Sequence, residues 1–154
     1  MRKQDPRVLL ARALTLTRQA IKYLERAEWR LKSLGDEAGD LLYQVVYLHL
    51  LLSRIALRLE TLIVVYSATG TVRRDLLGLP IELVRQASKA IRQSTPEVSS
   101  IILELDEALT SVYEAVPEPP PTLQRRGEPL REEAKQILAE IEEEAKKRVA
   151  QLTQ

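Results

Sequence analysis

The chain has 154 residues, 29% of them charged and 45% apolar, which is ample for one core and too charged for a membrane-embedded protein. Aromatics are 4% with no Phe, so the core is expected to be aliphatic; without Cys there is no disulfide framework and no Cys-based zinc site. The net charge of +1 hides an asymmetry: residues 1–32 carry nine basic and three acidic side chains, residues 33–96 seven and six, and residues 97–154 seven and thirteen. A basic head and an acidic tail imply a head that seeks an anionic surface and a tail that folds back on it.

The opening MRKQDPRVLLARAL is basic and then apolar, but Arg12 and Arg18 interrupt it and no cleavage site follows, so no signal peptide is expected. Asp5 suits a cap and Pro6 a first turn. The first helix should then reach Lys32, with Leu10, Leu14, Thr17, Ile21, Leu24 and Leu31 at helical spacing. Ser33, Leu34, Gly35 and Asp36 form a stop-and-restart signal, with Gly35 as left-handed C-cap and Asp36 as the next N-cap. A loop that short predicts an antiparallel hairpin.

The second helix should run to about Tyr66. Leu41, Val45, Leu48, Leu52, Ile55, Leu59, Leu62 and Tyr66 alternate steps of four and three, an unbroken heptad seam. Residues 41–53 hold no charge; at 13 residues the run is short of the ~18 of a membrane span, but it needs cover on several sides. The first helix, the fourth with its matching seam, and the fifth are the candidate partners.

Residues 67–71 break the helix and residues 72–79 read as a connector. Pro80 is expected to open the third helix, with Ile81, Val84, Ala87, Ser88 and Ile91 on one face. Thr95, Pro96 and Glu97 mark the start of the fourth, followed by Val98, Ile102, Leu105, Leu109, Val112 and Val116 in the four-three pattern. Residues 116–123 are Pro-rich and extended, and 124–128 are a polar linker. Pro129 starts a fifth helix with Leu130, Ala134, Ile137, Ile141, Ala145 and Leu152 as a narrower stripe. The expected fold is all-α: an antiparallel hairpin packed with further helices. It divides into a helical core (1–116), a Pro-rich linker (117–128) and an acidic C-terminal helix (129–154). No strand pattern is convincing.

The search for chemistry finds little. His49 is the only His; lying between Leu48 and Leu52, it reads as a histidine packed in or beside the bundle. One His and no Cys make a transition-metal site unpromising, and a di-metal bundle site would need Glu-x-x-His pairs that are absent. Gly70 and Gly78 build no phosphate loop, and Glu142, Glu143 and Glu144 read as a solvated face. No enzymatic activity, no catalytic residue and no cofactor or metal site is expected.

The basic head says more. On a helical wheel Arg7, Arg12, Arg18, Lys22, Arg26 and Arg30 share roughly 140° of arc, and Trp29 falls among them rather than with the leucines. This reads two ways: a membrane-binding face for anionic lipid, or a solvated face with a Trp over the hairpin loop. Nucleic acid is not expected, because no base-stacking aromatics or nucleic-acid motif accompany the ridge. The Pro-rich segment also reads two ways, as a spacer or as a preformed ligand for a partner's groove.

Five short pieces, in order, resemble the archaeal ESCRT-III-like cell-division proteins, the CdvB family. They are Leu10-Ala11-Arg12-Ala13, Leu57-Arg58-Leu59-Glu60-Thr61, Thr95-Pro96-Glu97-Val98, Glu104-Leu105-Asp106-Glu107-Ala108-Leu109 and Glu133-Ala134-Lys135-Gln136-Ile137-Leu138. The resemblance implies an ESCRT-III-like bundle in which an acidic C-terminal helix closes on the hairpin. Release of that helix would let subunits assemble into membrane-bound filaments for cell division or vesicle scission. It also implies partners: further copies of the chain, other ESCRT-III-like paralogues, an anionic membrane, and a AAA ATPase with an MIT domain. Carried onto this chain, Arg7, Arg12, Arg18, Lys22, Arg26, Trp29 and Arg30 become the membrane face. Val116, Pro117, Pro119, Pro120, Pro121 and Leu123 become the MIT ligand. Ile137, Ile141 and Ala145 become the autoinhibitory packing face. The hairpin here is several turns shorter than the family's, around residues 32–42. A cytoplasmic, peripherally membrane-associated protein is implied. The alternative from the residues alone is a soluble helical-bundle adaptor that binds a partner protein through its apolar seam.

Overall fold

The computed structural model describes residues 5–91, 96–116 and 127–153. These form five α-helices, α1 (Pro6–Lys32), α2 (Gly39–Thr69), α3 (Arg74–Ala90), α4 (Pro96–Ala115) and α5 (Gly127–Leu152), with a short 3-10 turn at Gly35–Ala38. An all-helical bundle is what the patterning predicts, and no strand occurs among the described residues.

α1 starts where its cap predicts. Asp5 is extended, its Oδ1 accepts the Arg7 N–H at 2.9 Å, and Pro6 occupies the first turn, where its missing donor costs nothing. Leu10, Leu14, Thr17 and Leu24 are buried and Ile21 and Leu31 pack against the core. The buried Thr17 hydroxyl is satisfied locally, donating to the Ala13 carbonyl at 2.8 Å. The hairpin turn differs in detail from the expectation. Gly35 has positive φ as predicted, but α2 begins at Gly39 rather than after Asp36, with φ +40° and ψ −122°, a combination suited to glycine.

α2 is the axis of the molecule. Positions 48–52 are buried without interruption, and five consecutive helical residues sweep more than a full turn. One neighbour cannot cover that arc; α1, α3 and α5 all pack on α2. Beyond Ser53 burial narrows to one face, Ile55, Ala56, Leu59 and Leu62. The helix runs almost a turn past Tyr66 and ends at Thr69, and the N–H of the following Gly70 donates to the Tyr66 carbonyl at 2.7 Å. α4 sits on α1 and α3, so the expected α2–α4 seam is replaced by α2–α3. The heptad spacing fixes which face of α4 is apolar, and all six expected positions are buried. It does not fix which neighbour that face meets.

α3 begins at Arg74, not at Pro80, which lies inside the helix. Leu77, Leu79, Pro80 and Leu83 therefore join the core with Val84 and Ala87, while Ser88 is exposed. Pro80 removes one i→i−4 hydrogen bond. The carbonyl left without that donor belongs to Leu76, whose side chain is on the surface. Arg74 pins the start of α3 to the end of α4, its Nε donating to the Tyr113 carbonyl at 2.8 Å and its guanidinium lying 4.8 Å from the ring centroid.

α5 packs antiparallel on α2, with Arg54 facing Glu140 at 3.2 Å and Arg58 facing Glu133 at 3.8 Å, and also touches α3. Gly78 of α3 makes room for it: a Cβ there would lie 3.2 Å from Leu130 Cδ2. Ala134, Ile137, Ile141 and Ala145 belong to the same hydrophobic cluster as the other four helices. In this arrangement α5 is part of one core rather than a separate appendage.

Candidate functional site: a cationic ridge and a clasped helix

The seven residues proposed as a membrane-binding face are all exposed, as either reading of the ridge requires. They are not equivalent. Arg12 lies 3.8 Å from Glu104 of α4 and Arg18 2.9 Å from Glu60 of α2, so the N-terminal half of the ridge is partly neutralised. Among the described residues Lys22, Arg26 and Arg30 make no ion pair; Arg26 lies 5.9 Å from the Tyr23 ring centroid. Trp29 stands among these three and is 77% exposed, the largest value of any large apolar side chain described. Leu34, at the hairpin tip one to two turns on, is also exposed. Two apolar side chains and three unpaired cations thus lie toward one end of the molecule.

A shallow groove of about 650 Å³ runs beside the ridge between α1 and α4. Lys22, Tyr23 and Arg26 form one wall and Glu97, Ser100 and Glu104 the other, so its charge is mixed and selects neither sign of ligand. No group of three or more His, Asp or Glu among the described residues could hold a metal ion. No described helix is long and apolar enough to cross a membrane.

The proposed autoinhibitory residues Ile137, Ile141 and Ala145 are buried. Of the proposed MIT ligand, Val116 is 4% exposed and turned into the core as the last residue of the α4 stripe, where a groove on another domain cannot reach it. Pro117, Pro119, Pro120, Pro121 and Leu123 lie outside the described residues.

His49 is buried, one of the two placements expected for a histidine packed in or beside the bundle, and it is also paired. Its Nδ1 is 2.8 Å from Glu28 Oε1, and its Nε2 is 3.7 Å from Glu25 Oε1. The second oxygen of Glu28, Oε2, is 3.7 Å from Arg148 of α5. Glu28 and His49 are each 8% exposed, and a carboxylate so placed is stable only with partners. One buried carboxylate therefore holds together α1, α2 and α5. The antiparallel pairing that sets Arg18 beside Glu60 also sets Glu28 beside His49. A second helix restarting directly after Asp36, as expected from the turn residues, has a shifted register that does not bring these two together, and the register of Arg148 on α5 carries no sequence signal either.

On the other side of α2, Tyr43 and Tyr47 stack with ring centroids 6.2 Å apart at the α5 edge. Burial raises both phenols above their ordinary value, and the nearby charge of Glu142 on α5 raises them further. The outer face of α2 beyond Ser53 is bare: Leu57 is 61% and Val64 67% exposed. Compared with known proteins, the chain matches no family model, no curated protein and no solved structure.

Proposed function

We propose that this chain is an ESCRT-III-like membrane-remodelling protein that binds anionic membrane through α1 and self-assembles when α5 leaves α2. The observation that carries the reading is Trp29, 77% exposed beside the unpaired cations Lys22, Arg26 and Arg30. An indole of this kind favours the headgroup region of a bilayer, and each nearby cation adds about 1 kcal/mol at an anionic surface. The ordered sequence pieces and the docking of α5 along α2, on the face that carries Tyr43, Tyr47, Arg54 and Arg58, support the same reading. Departure of α5 would bare the edge of α2 at Tyr43 and Tyr47, which is the proposed contact for a second copy or a paralogue. The Pro-rich residues 117–123 remain the proposed ligand for the MIT domain of a AAA ATPase.

Flotation with vesicles tests the membrane step. The full chain should float with vesicles rich in phosphatidylserine, not with phosphatidylcholine alone, and lose binding as salt rises. Trp29→Ala should weaken it without changing the fold. No flotation with anionic vesicles at low salt would sink the proposal. A discrete, salt-insensitive small oligomer with no lipid affinity would mark a soluble adaptor instead.

A further inference from the structure

Glu28 divides its two oxygens between two helices, with Oε1 on His49 of α2 and Oε2 facing Arg148 of α5. From this geometry we infer that the cluster is a proton-operated clasp: a proton on His49 loosens Arg148 from Glu28 and weakens the docking of the C-terminal half of α5. This holds whether or not the chain acts at a membrane.

The charged groups on the imidazole come from two directions. α1 supplies Glu25 and Glu28, and α5 supplies Arg148 on the far side of Glu28. An ionised carboxylate only accepts, so Nδ1 carries the hydrogen of the 2.8 Å bond. In the neutral ring Nε2 then turns a lone pair toward Glu25 at 3.7 Å. Arg148 is in that state the one full positive charge beside the buried carboxylate.

A proton on Nε2 changes the balance. Both ring nitrogens become donors, one toward each glutamate, and the bond to Glu28 becomes charge-assisted and stronger. Glu28 now has two cations on it, which repel each other. The weaker contact yields. His49 holds Glu28 at hydrogen-bonding distance and is locked in the middle of α2, whereas Arg148 sits 3.7 Å away, beyond hydrogen-bonding range, on a side chain 41% exposed. Imidazole is the side chain that gains a proton between about pH 8 and pH 5.

Amide hydrogen exchange on the full chain, normalised to intrinsic rates, provides the test. Between about pH 8 and pH 5.5, protection over residues 141–152 should fall about tenfold, while protection over residues 42–62 holds. His49→Gln, which has no proton to gain, should keep α5 protection flat across that range. Arg148→Gln should lower it at both pH values and remove the pH dependence. Wild-type protection that does not change, or an acid-induced loss that persists in His49→Gln, would overturn the clasp. If His49→Gln does not fold, Arg148→Gln decides alone, because an acid-induced loss that survives in it cannot pass through the clasp.

Discussion

Tyr66, near the end of α2, donates its hydroxyl to Asp5 Oδ1 at 3.1 Å, the same oxygen that accepts the Arg7 N–H. One carboxylate thus caps α1 and ties the open end of the hairpin to α2. Asp5→Ala should cost about 1 kcal/mol through the lost cap. For a chain of this size that lowers the thermal midpoint by about 3 °C, measurable by circular dichroism. Asp5→Asn keeps most of the cap and should cost less.

The tyrosines on α2 set an alkaline limit. The Asp5 hydrogen bond holds Tyr66 above its ordinary value of 10.0, and burial with Glu142 does so for Tyr43 and Tyr47. A phenol raised in the folded state keeps its proton there after the unfolded chain has lost it. Its contribution is therefore complete below pH 10 and is lost as pH rises through the raised values. Stability in urea should fall above about pH 10, and phenolate absorbance should show a late-titrating fraction. Glu142→Gln should bring that fraction down and soften the alkaline loss.

Leu57 and Leu59 are two residues apart in one of the sequence pieces but stand on opposite faces of α2, one mostly exposed and the other fully buried. Leu59→Ala should cost about 3 kcal/mol, and Leu57→Ala should stay within about 0.5 kcal/mol. Chemical denaturation separates these outcomes. Equal costs would mean that the Leu57 face is covered in solution.

Ile141 is fully buried in the core that α5 shares with the rest of the chain. Ile141→Ala should cost about 3 kcal/mol, and near-zero cost would mean that α5 does not dock in solution. On the ridge, Lys22→Gln with Arg26→Gln should lower partitioning onto anionic vesicles by about thirtyfold, read by flotation, with the circular dichroism spectrum unchanged.

What was legible in the sequence followed from how local each signal is. Asp5 with Pro6, and Gly35 as a left-handed stop, carry their meaning within a few residues, and α1 begins and ends where those signals place it; Asp36 misleads, since a 3-10 turn delays the start of α2 to Gly39. Pro80 misleads for the same reason: proline favours the first turn, but buried contacts from Leu77 and Leu79 carry α3 a turn and a half earlier. The heptad spacing of α2 and α4 marks apolar faces correctly and their mutual packing wrongly, since partner choice depends on topology. The candidate site divides likewise. Exposure of Trp29 and the cations follows from one helical wheel, whereas the Glu28–His49–Arg148 cluster draws one residue from each of three helices.

The unbroken burial of positions 48–52 has a consequence for folding during synthesis. A helix buried all round cannot settle with its nearest neighbour alone, so the α1–α2 hairpin that emerges first is still sticky at its centre. α3 follows within a few residues, but α5 emerges only after α4 and the Pro-rich stretch. For that interval the Tyr43–Tyr47 edge has no intramolecular lid, and at synthesis rates of about 5–20 residues per second the wait lasts several seconds. Nascent chains halted near residue 116 should therefore be the form most dependent on chaperones, and completion of α5 should end that dependence.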